Sequence, residues 1–262
     1  MDLDDSHFHL TLASGAADLR AAQRLRYEVF VAELGGDGTL VDHDARIEAD
    51  RFDPYFDHLL LRDLRRAEGE QVVGVYRVMR CDQAAAAGQF YSEDEYDLAP
   101  LRVSGRRLLE LGRSCLHRDY RGGSAMMHLW NGLADYIATH RIEVMFGVAS
   151  FHGTDARHIA GPLSLLHHRH LAPADVRPRA RGDGFQPMDL IAEGDLDRKA
   201  AIRDTPALIK AYLRLGGFVG EGAYVDRPFN CIDVCLVMDV ARMSERHKAI
   251  YTRGAEVMRG GR

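Results

Sequence analysis

Apolar and polar positions alternate in "FHLTLA" near the N-terminus, which predicts a first strand. After Ser14, read as an N-cap, "AADLRAAQRLRYEVFVAEL" repeats its apolar positions with a helical period and stops before Gly35 and Gly36. "HLLLRDL" and "QVVGVYRVMR" flank "RRAEGE" and read as a hairpin. "RRLLELGRSCLH" predicts a strand, "SAMMHLWNGLADYIATH" an amphipathic helix, and "VMFGVASF" another strand. "TDARHIAGPLSLLHHRH" predicts a short helix capped by Thr154 or Asp155. A helix in "TPALIKAYLRLGG" ends at its glycines, and "FVGEGAYVD" and "CIDVCLVMDV" read as closing strands. No internal repeat is present. Mostly antiparallel strands around one strand–turn–helix unit predict a mixed α/β sheet.

Between the first helix and the hairpin lies "GGDGTLVDHDARIEADRFDPYFD". A connection of this length inside a compact domain is usually functional or disordered. Its aromatics, Phe52, Tyr55 and Phe56, argue for order. The 262 residues, 46% of them hydrophobic, suffice for a sizeable core in one large or two small domains. A net charge of -5 excludes a generally basic nucleic-acid binder. Locally the balance reverses. Arg102, Arg106, Arg107, Arg113, Arg118 and Arg121 face only Glu110 and Asp119, which suits an anionic ligand or an acidic partner. Cys81, Cys115, Cys231 and Cys235 form no CxxC pair, and "MDLDDSHFHL" has no signal-peptide core, so a reduced cytoplasmic protein is expected. No apolar run approaches the roughly 18 residues of a membrane span, so any membrane contact is expected to be peripheral.

The candidate chemistry gathers in "LLELGRSCLHRDYRGGSAMMHLW". Gly122, Gly123 and Ser124 fall where a helix begins, with Arg118 and Arg121 alongside. Such a start offers backbone N–H groups and a positive dipole end to an anion. An ordinary helix start with solvated arginines has the same pattern. Glu110 and Arg113 sit inside an apolar strand, where charges are seldom buried unpaired. A β-bulge at Gly112 is expected to bring both toward one face. A structural ion pair at a sheet edge is the competing reading.

The strand–RGGSA–helix unit resembles the acyl-CoA-binding core of the GNAT acyltransferase superfamily. It departs from the R-x-x-G-x-G/A pattern, since Ser124 and Met126 stand at the third and fifth positions after Arg121. That departure favours the single phosphate of an acyl carrier protein's phosphopantetheine arm over a pyrophosphate. Arg26 and Phe30 in "LRYEVF", Asp50 and Asp53 in "EADRFD", Arg77 in "GVYRVM", and Glu110 and Arg113 in "ELGR" are similar to acyl-homoserine-lactone synthases. "FDHLL", "ELGRSCLHRDYRGG", "FGVASFHGTD" and "LIKAYLRLGGFVGEGAYVD" resemble the ornithine-lipid N-acyltransferases, once labelled haemolysin-like, and the last two blocks are absent from lactone synthases. The resemblance implies a GNAT-like mixed, mostly antiparallel sheet flanked by helices, in a single domain over residues 1–262. A helical and loop insertion at about 152–205 follows the strand ending near Phe151, and a helical tail covers about 244–262.

It also implies transfer of a 3-hydroxyacyl group from acyl carrier protein to the α-amino group of ornithine, giving lyso-ornithine lipid. Lysine or glutamine as acceptor, or lactone synthesis, are the alternatives, and a non-enzymatic lipid-binding protein is the reading from another class. No cofactor beyond the carrier's phosphopantetheine is implied, no nucleic acid, and the inner membrane only as a peripheral contact. An α-amino group is largely protonated near neutrality and needs a base. Glu110 is the candidate, with Arg113 ordering Asp50 or Asp53. Backbone N–H groups at the bulge are to polarise the thioester carbonyl. Arg26 and Arg77 hold that network or the amino acid's carboxylate, and Ser150 is a candidate substrate contact. Arg118, Arg121, Gly122, Gly123 and Ser124 are the candidate carrier-arm contacts. No metal is expected, because Cys231 and Cys235 lack companions and the adjacent histidines of "HHRH" point different ways. Cys115 is read as core rather than nucleophile.

Overall fold

A computed structural model describes residues 5–243, so the expected tail over 244–262 lies outside the described residues. Along the chain run β1 (Phe8–Leu12), α1 (Ala16–Arg26), β2 (Asp57–Asp63), β3 (Val72–Arg80), α2 (Cys81–Ala87), β4 (Tyr96–Asp97), α3 (Ala99–Val103) and β5 (Leu108–Leu116). Then follow α4 (Ala125–His140), β6 (Val144–His152), α5 (Ala160–His170), β7 (Arg179–Ala180), β8 (Phe185–Gln186), α6 (Arg198–Asp204) and α7 (Ala207–Arg214). The last strands are β9 (Phe218–Val219), β10 (Ala223–Asp226) and β11 (Cys231–Asp239).

The chain groups into two compact units. Among the described residues, the first holds 5–87 and 111–141, and the second holds 88–110 and 142–243. Strand β5 contributes its last residues to the first unit and Leu108–Glu110 to the second.

In the first unit, β1 pairs antiparallel with β2, and β2 with β3. The hairpin is the one expected from "RRAEGE". Eight of the nine residues of β3 are buried, which accounts for its nearly continuous apolar run. Ala22 and Leu25 of α1 pack with Leu60, Val72, Val75 and Cys115 in one cluster. The first helix differs from its expected form. Its α-helical part ends at Arg26 and continues as a wider π turn over Tyr27–Glu33. Ser14 does not cap it through its side chain; instead its backbone N–H and hydroxyl donate to Asp18. At Gly74 a Cβ would lie 2.8 Å from Leu116 Cδ2 and 3.0 Å from Leu129 Cδ1, so the strand can approach its neighbours only with glycine there.

In the second unit, β6 pairs parallel with β5 through Leu108–Val144, Leu109–Met145 and Glu110–Phe146. It pairs antiparallel with β11 over its whole length. All nine residues of β11 are buried. Strand β10 pairs with β11 and β8, and β9 pairs with β11. Between β6 and α7 lie α5, short 3-10 turns, β7, β8 and α6. Asp155 caps the first of these turns through Arg157 N–H, as one of the two expected caps. Among the described residues no helix is long and apolar enough to cross a membrane.

Candidate active site

Three guanidinium groups and three carboxylates interlock in the first unit. Arg26, on the last turn of α1, pairs through Nε with Glu48 and through Nη1 with Asp53 Oδ1 at 2.6 Å. Arg77 of β3 pairs through Nη1 with Asp53 Oδ1 and Asp50 Oδ2, both at 2.7 Å. Its guanidinium lies 4.1 Å from the centre of the Phe56 ring. From β5, Arg113 reaches Glu48 Oε1 at 3.3 Å and Asp50 Oδ2 at 3.5 Å. Arg26, Arg77 and Glu48 are wholly buried. Isolated burial would cost each of them heavily, and mutual pairing is what makes it tolerable. The segment carrying the acids is pinned by Glu48 N–H to Gln23 O, by Gln23 Nε2 to Asp53 Oδ2, and by His58 Nε2 against Asp53 O. The long loop is therefore ordered by charge as well as by its aromatics.

Burial pushes the Glu48 carboxyl up, but Arg113 and Arg26 outweigh it and hold the group down at about 2. The same contest at Asp53, against Arg26 and Arg77, leaves it well below the usual carboxylate range. Arg26 is raised in turn, since Glu48 and Asp53 outweigh the cost of its burial. Solvent reaches the cluster mainly at Asp50, whose side chain is 17% exposed, and at Arg113, 11% exposed. The expected kink in β5 falls at Arg113, with φ of 48°, one residue past Gly112. A left-handed non-glycine residue within a strand costs roughly 1–2 kcal/mol. Its ion pairs to Glu48 and Asp50 hold it there.

Glu110 lies in the second unit and is 1% exposed. Its Oε2 accepts from Tyr91 N–H at 2.8 Å, and its Oε1 accepts from Ser92 N–H at 2.6 Å and from the Ser92 hydroxyl. The carboxylate thus anchors the start of the 3-10 turn Tyr91–Asp94. Glu110, expected as the proton acceptor, has its oxygens met by three donors of the Tyr91–Ser92 segment. Ser150 is exposed on β6, opposite Asp233 of β11 in the ladder.

In the turn before α4, Arg118, Arg121 and Ser124 have partners within the chain. Gly122 takes φ of 79°. Arg121 pairs with Glu33 at 2.8 Å and donates to Leu116 O, while Arg118 lies 3.6 Å from Glu33. Ser124 Oγ donates to Asp5 Oδ1 at 2.9 Å.

Sequence reasoning missed Glu48, Ser92, Glu33 and Asp5. Glu48 had a signal, since it opens the "EADRFD" block whose other acids were singled out. Burial pushes the Cys115 thiol up to about 12, so it is protonated and packed, as read. The fold gives Cys231 two companions the sequence did not show. Asp226 and Asp233 bring ligand atoms within 4.8 Å. Burial raises that thiol strongly, and it donates to Asp233. In "HHRH", His168 Nε2 lies 2.9 Å from Ile191 O, and His167, His168 and His170 are half-buried, so this helix end is less solvated than expected.

Residues 25–131 match the family model described as "Acetyltransferase (GNAT) domain". The chain is 61% identical to an L-ornithine N(alpha)-acyltransferase of Rhodobacter capsulatus, over 95% of this chain and 96% of that one. It is 44% identical to the protein of that name in Brucella abortus, over 95% of this chain and 89% of the relative. Among solved structures it resembles FeeM, an N-acyl amino acid synthase from uncultured soil microbes, with TM-score 0.50 and 11% identity over 89% of this chain and 90% of that one. The acyl-homoserine-lactone synthase LasI gives TM-score 0.50 and 14% identity, covering 95% and 96%. These two likenesses show the fold, a GNAT-like mixed α/β sheet flanked by helices.

Proposed function

The chain belongs to the L-ornithine N(alpha)-acyltransferase family, and from that premise we propose that it acylates the α-amino group of ornithine with a 3-hydroxyacyl group carried by acyl carrier protein. The product is lyso-ornithine lipid. The observation that carries this reading is 61% identity over nearly the full length of both chains. The donor supplies its own phosphopantetheine, and no resident cofactor or metal takes part.

In the proposed reaction the neutral amine attacks the thioester carbonyl. The carbon–sulfur bond breaks, the carrier's sulfur leaves as the thiolate, the amine's proton passes to water, and the thiolate takes up a proton from water to give the free thiol. Arg113 and Asp50 are the members of the ion-pair cluster with solvent exposure. Arg113 receives the acceptor's carboxylate and Asp50 its α-amino group, a zwitterion matched by a paired cation and anion. Arg26, Arg77 and Asp53 are buried behind them and act as positioning residues. Within the second unit, Glu110 fixes the Tyr91–Asp94 turn. The turn at Arg118–Ser124 meets the phosphodiester of the carrier arm. The reaction runs in the cytoplasm, and the lipid product makes the inner membrane a peripheral contact.

Thiol release from a 3-hydroxyacyl carrier thioester tests the reading. Release that depends on ornithine, and exceeds that with lysine or glutamine, supports it. Release independent of any amino acid, or leakage of liposomes without turnover, contradicts it.

A further inference from the structure

The phosphate-facing turn already has an anion of the chain's own. Asp5 Oδ1 accepts the Ser124 hydroxyl at 2.9 Å, and Asp5 Oδ2 lies 3.1 Å from His128 Nε2, one turn into α4. The hydrogen bond from His128 holds the Asp5 carboxyl below its ordinary value, so it is charged near neutrality. Its position is set by packing. Phe8 N–H donates to Asp5 O at 3.0 Å, and the Phe8 ring lies 5.0 Å from His128 and 6.0 Å from Tyr120. Beside it, Gly122 and Gly123 are exposed, and a Cβ on either would meet no atom within 4 Å. The glycines therefore border open space rather than a packed contact. An incoming phosphate finds room at the turn but a carboxylate at its hydroxyl.

We infer that Asp5 is a specificity-determining residue for the acyl donor: seated at Ser124 beside the open glycine turn, its carboxylate tolerates one phosphodiester and disfavours a donor with several phosphates. The inference rests on the carrier-protein reading above. A carrier arm brings a single phosphodiester. A coenzyme A thioester brings a diphosphate and a further phosphomonoester, so the same fixed negative charge repels it more strongly. Repulsion of the wrong donor is a common source of selectivity. Arg118 and Arg121 do little to offset the repulsion, because Glu33 already pairs them.

The test is kcat/KM for one 3-hydroxyacyl chain on carrier protein and on coenzyme A, in wild type, Asp5→Asn and Asp5→Ala. Asn keeps a hydrogen-bond acceptor for Ser124 and removes only the charge. Both variants are expected to improve use of the coenzyme A donor by roughly 3–10-fold through KM, and use of the carrier donor less. KM for the amino acid should stay unchanged, and high salt should erase the difference. Free coenzyme A, as an inhibitor against the carrier thioester, should bind the variants more tightly by a similar factor. A donor ratio that stays at the wild-type value, or equal gains for both donors, overturns the assignment of Asp5. A wild-type protein that uses both donors equally overturns the carrier reading itself and leaves no discrimination for Asp5 to set.

Discussion

Glu110 and Glu48 show how alike two acids look in sequence and how differently the fold uses them. Both sit among apolar neighbours, yet one is gripped by backbone and hydroxyl donors and the other by guanidinium groups. For Glu110 this separates two roles by experiment. In Glu110→Gln the amide nitrogen must face an N–H or hydroxyl donor of Tyr91 or Ser92, leaving a buried polar mismatch of about 1–3 kcal/mol. Urea denaturation should show that loss, with turnover per folded molecule within about tenfold of wild type. A stable variant whose turnover falls by roughly 10²–10⁴ would assign Glu110 as the base. For Glu48 the readout is pH. Its folded-state value of about 2 lies below the unfolded value near 4.3, so its stabilisation is fully present above about pH 4.3. It is lost as pH falls toward 2, and Asp53, shifted in the same direction, adds to the slope. The loss from Glu48 is on the order of 3 kcal/mol. Unfolding midpoints measured from pH 5 to pH 2.5 should drop steeply, and a Glu48→Gln protein should start lower and drop less. Equal slopes in the two proteins would count against the ion-pair account.

At the scale of elements, the strands and main helices were legible because period and burial agree. β3 and β11 are buried nearly throughout and read as unbroken apolar runs. What the sequence hid were features set by contacts distant along the chain. The π turn at Tyr27–Glu33 continues the same helical periodicity as α1, so nothing local marks the change. The Tyr91–Asp94 turn is anchored by a carboxylate eighteen or nineteen residues away. The left-handed backbone of Arg113 depends on acids from the long loop, which is why the kink was placed at Gly112. Close packing of β3 also gives a test. Gly74→Ala puts a methyl group against Leu116, Leu129 and Leu61 at once, so relief on one side tightens another. The expected cost is about 1–3 kcal/mol in chemical denaturation. A midpoint at or above wild type would mean that these leucines have room to yield.

For the whole molecule, the ordered set of motifs conveyed the family and its chemistry better than any single motif did. The set singled out Arg26, Asp50, Asp53, Arg77 and Arg113, and these do come together in the first unit. It could not say which of them face solvent, because exposure depends on how α1, β3 and β5 pack around the loop. Nor could it show that a protein of net charge -5 would meet its own basic turn with Glu33 and Asp5. The central claim concerns what bond is made. Purified protein incubated with a 3-hydroxyacyl carrier thioester and ornithine should yield one product, identified by tandem mass spectrometry. The account predicts the mass of ornithine plus the acyl group less water, with fragments placing the amide on the α-nitrogen and a free side-chain amine. Acylation of the side-chain nitrogen, a lactone, or thioester hydrolysis alone would contradict it.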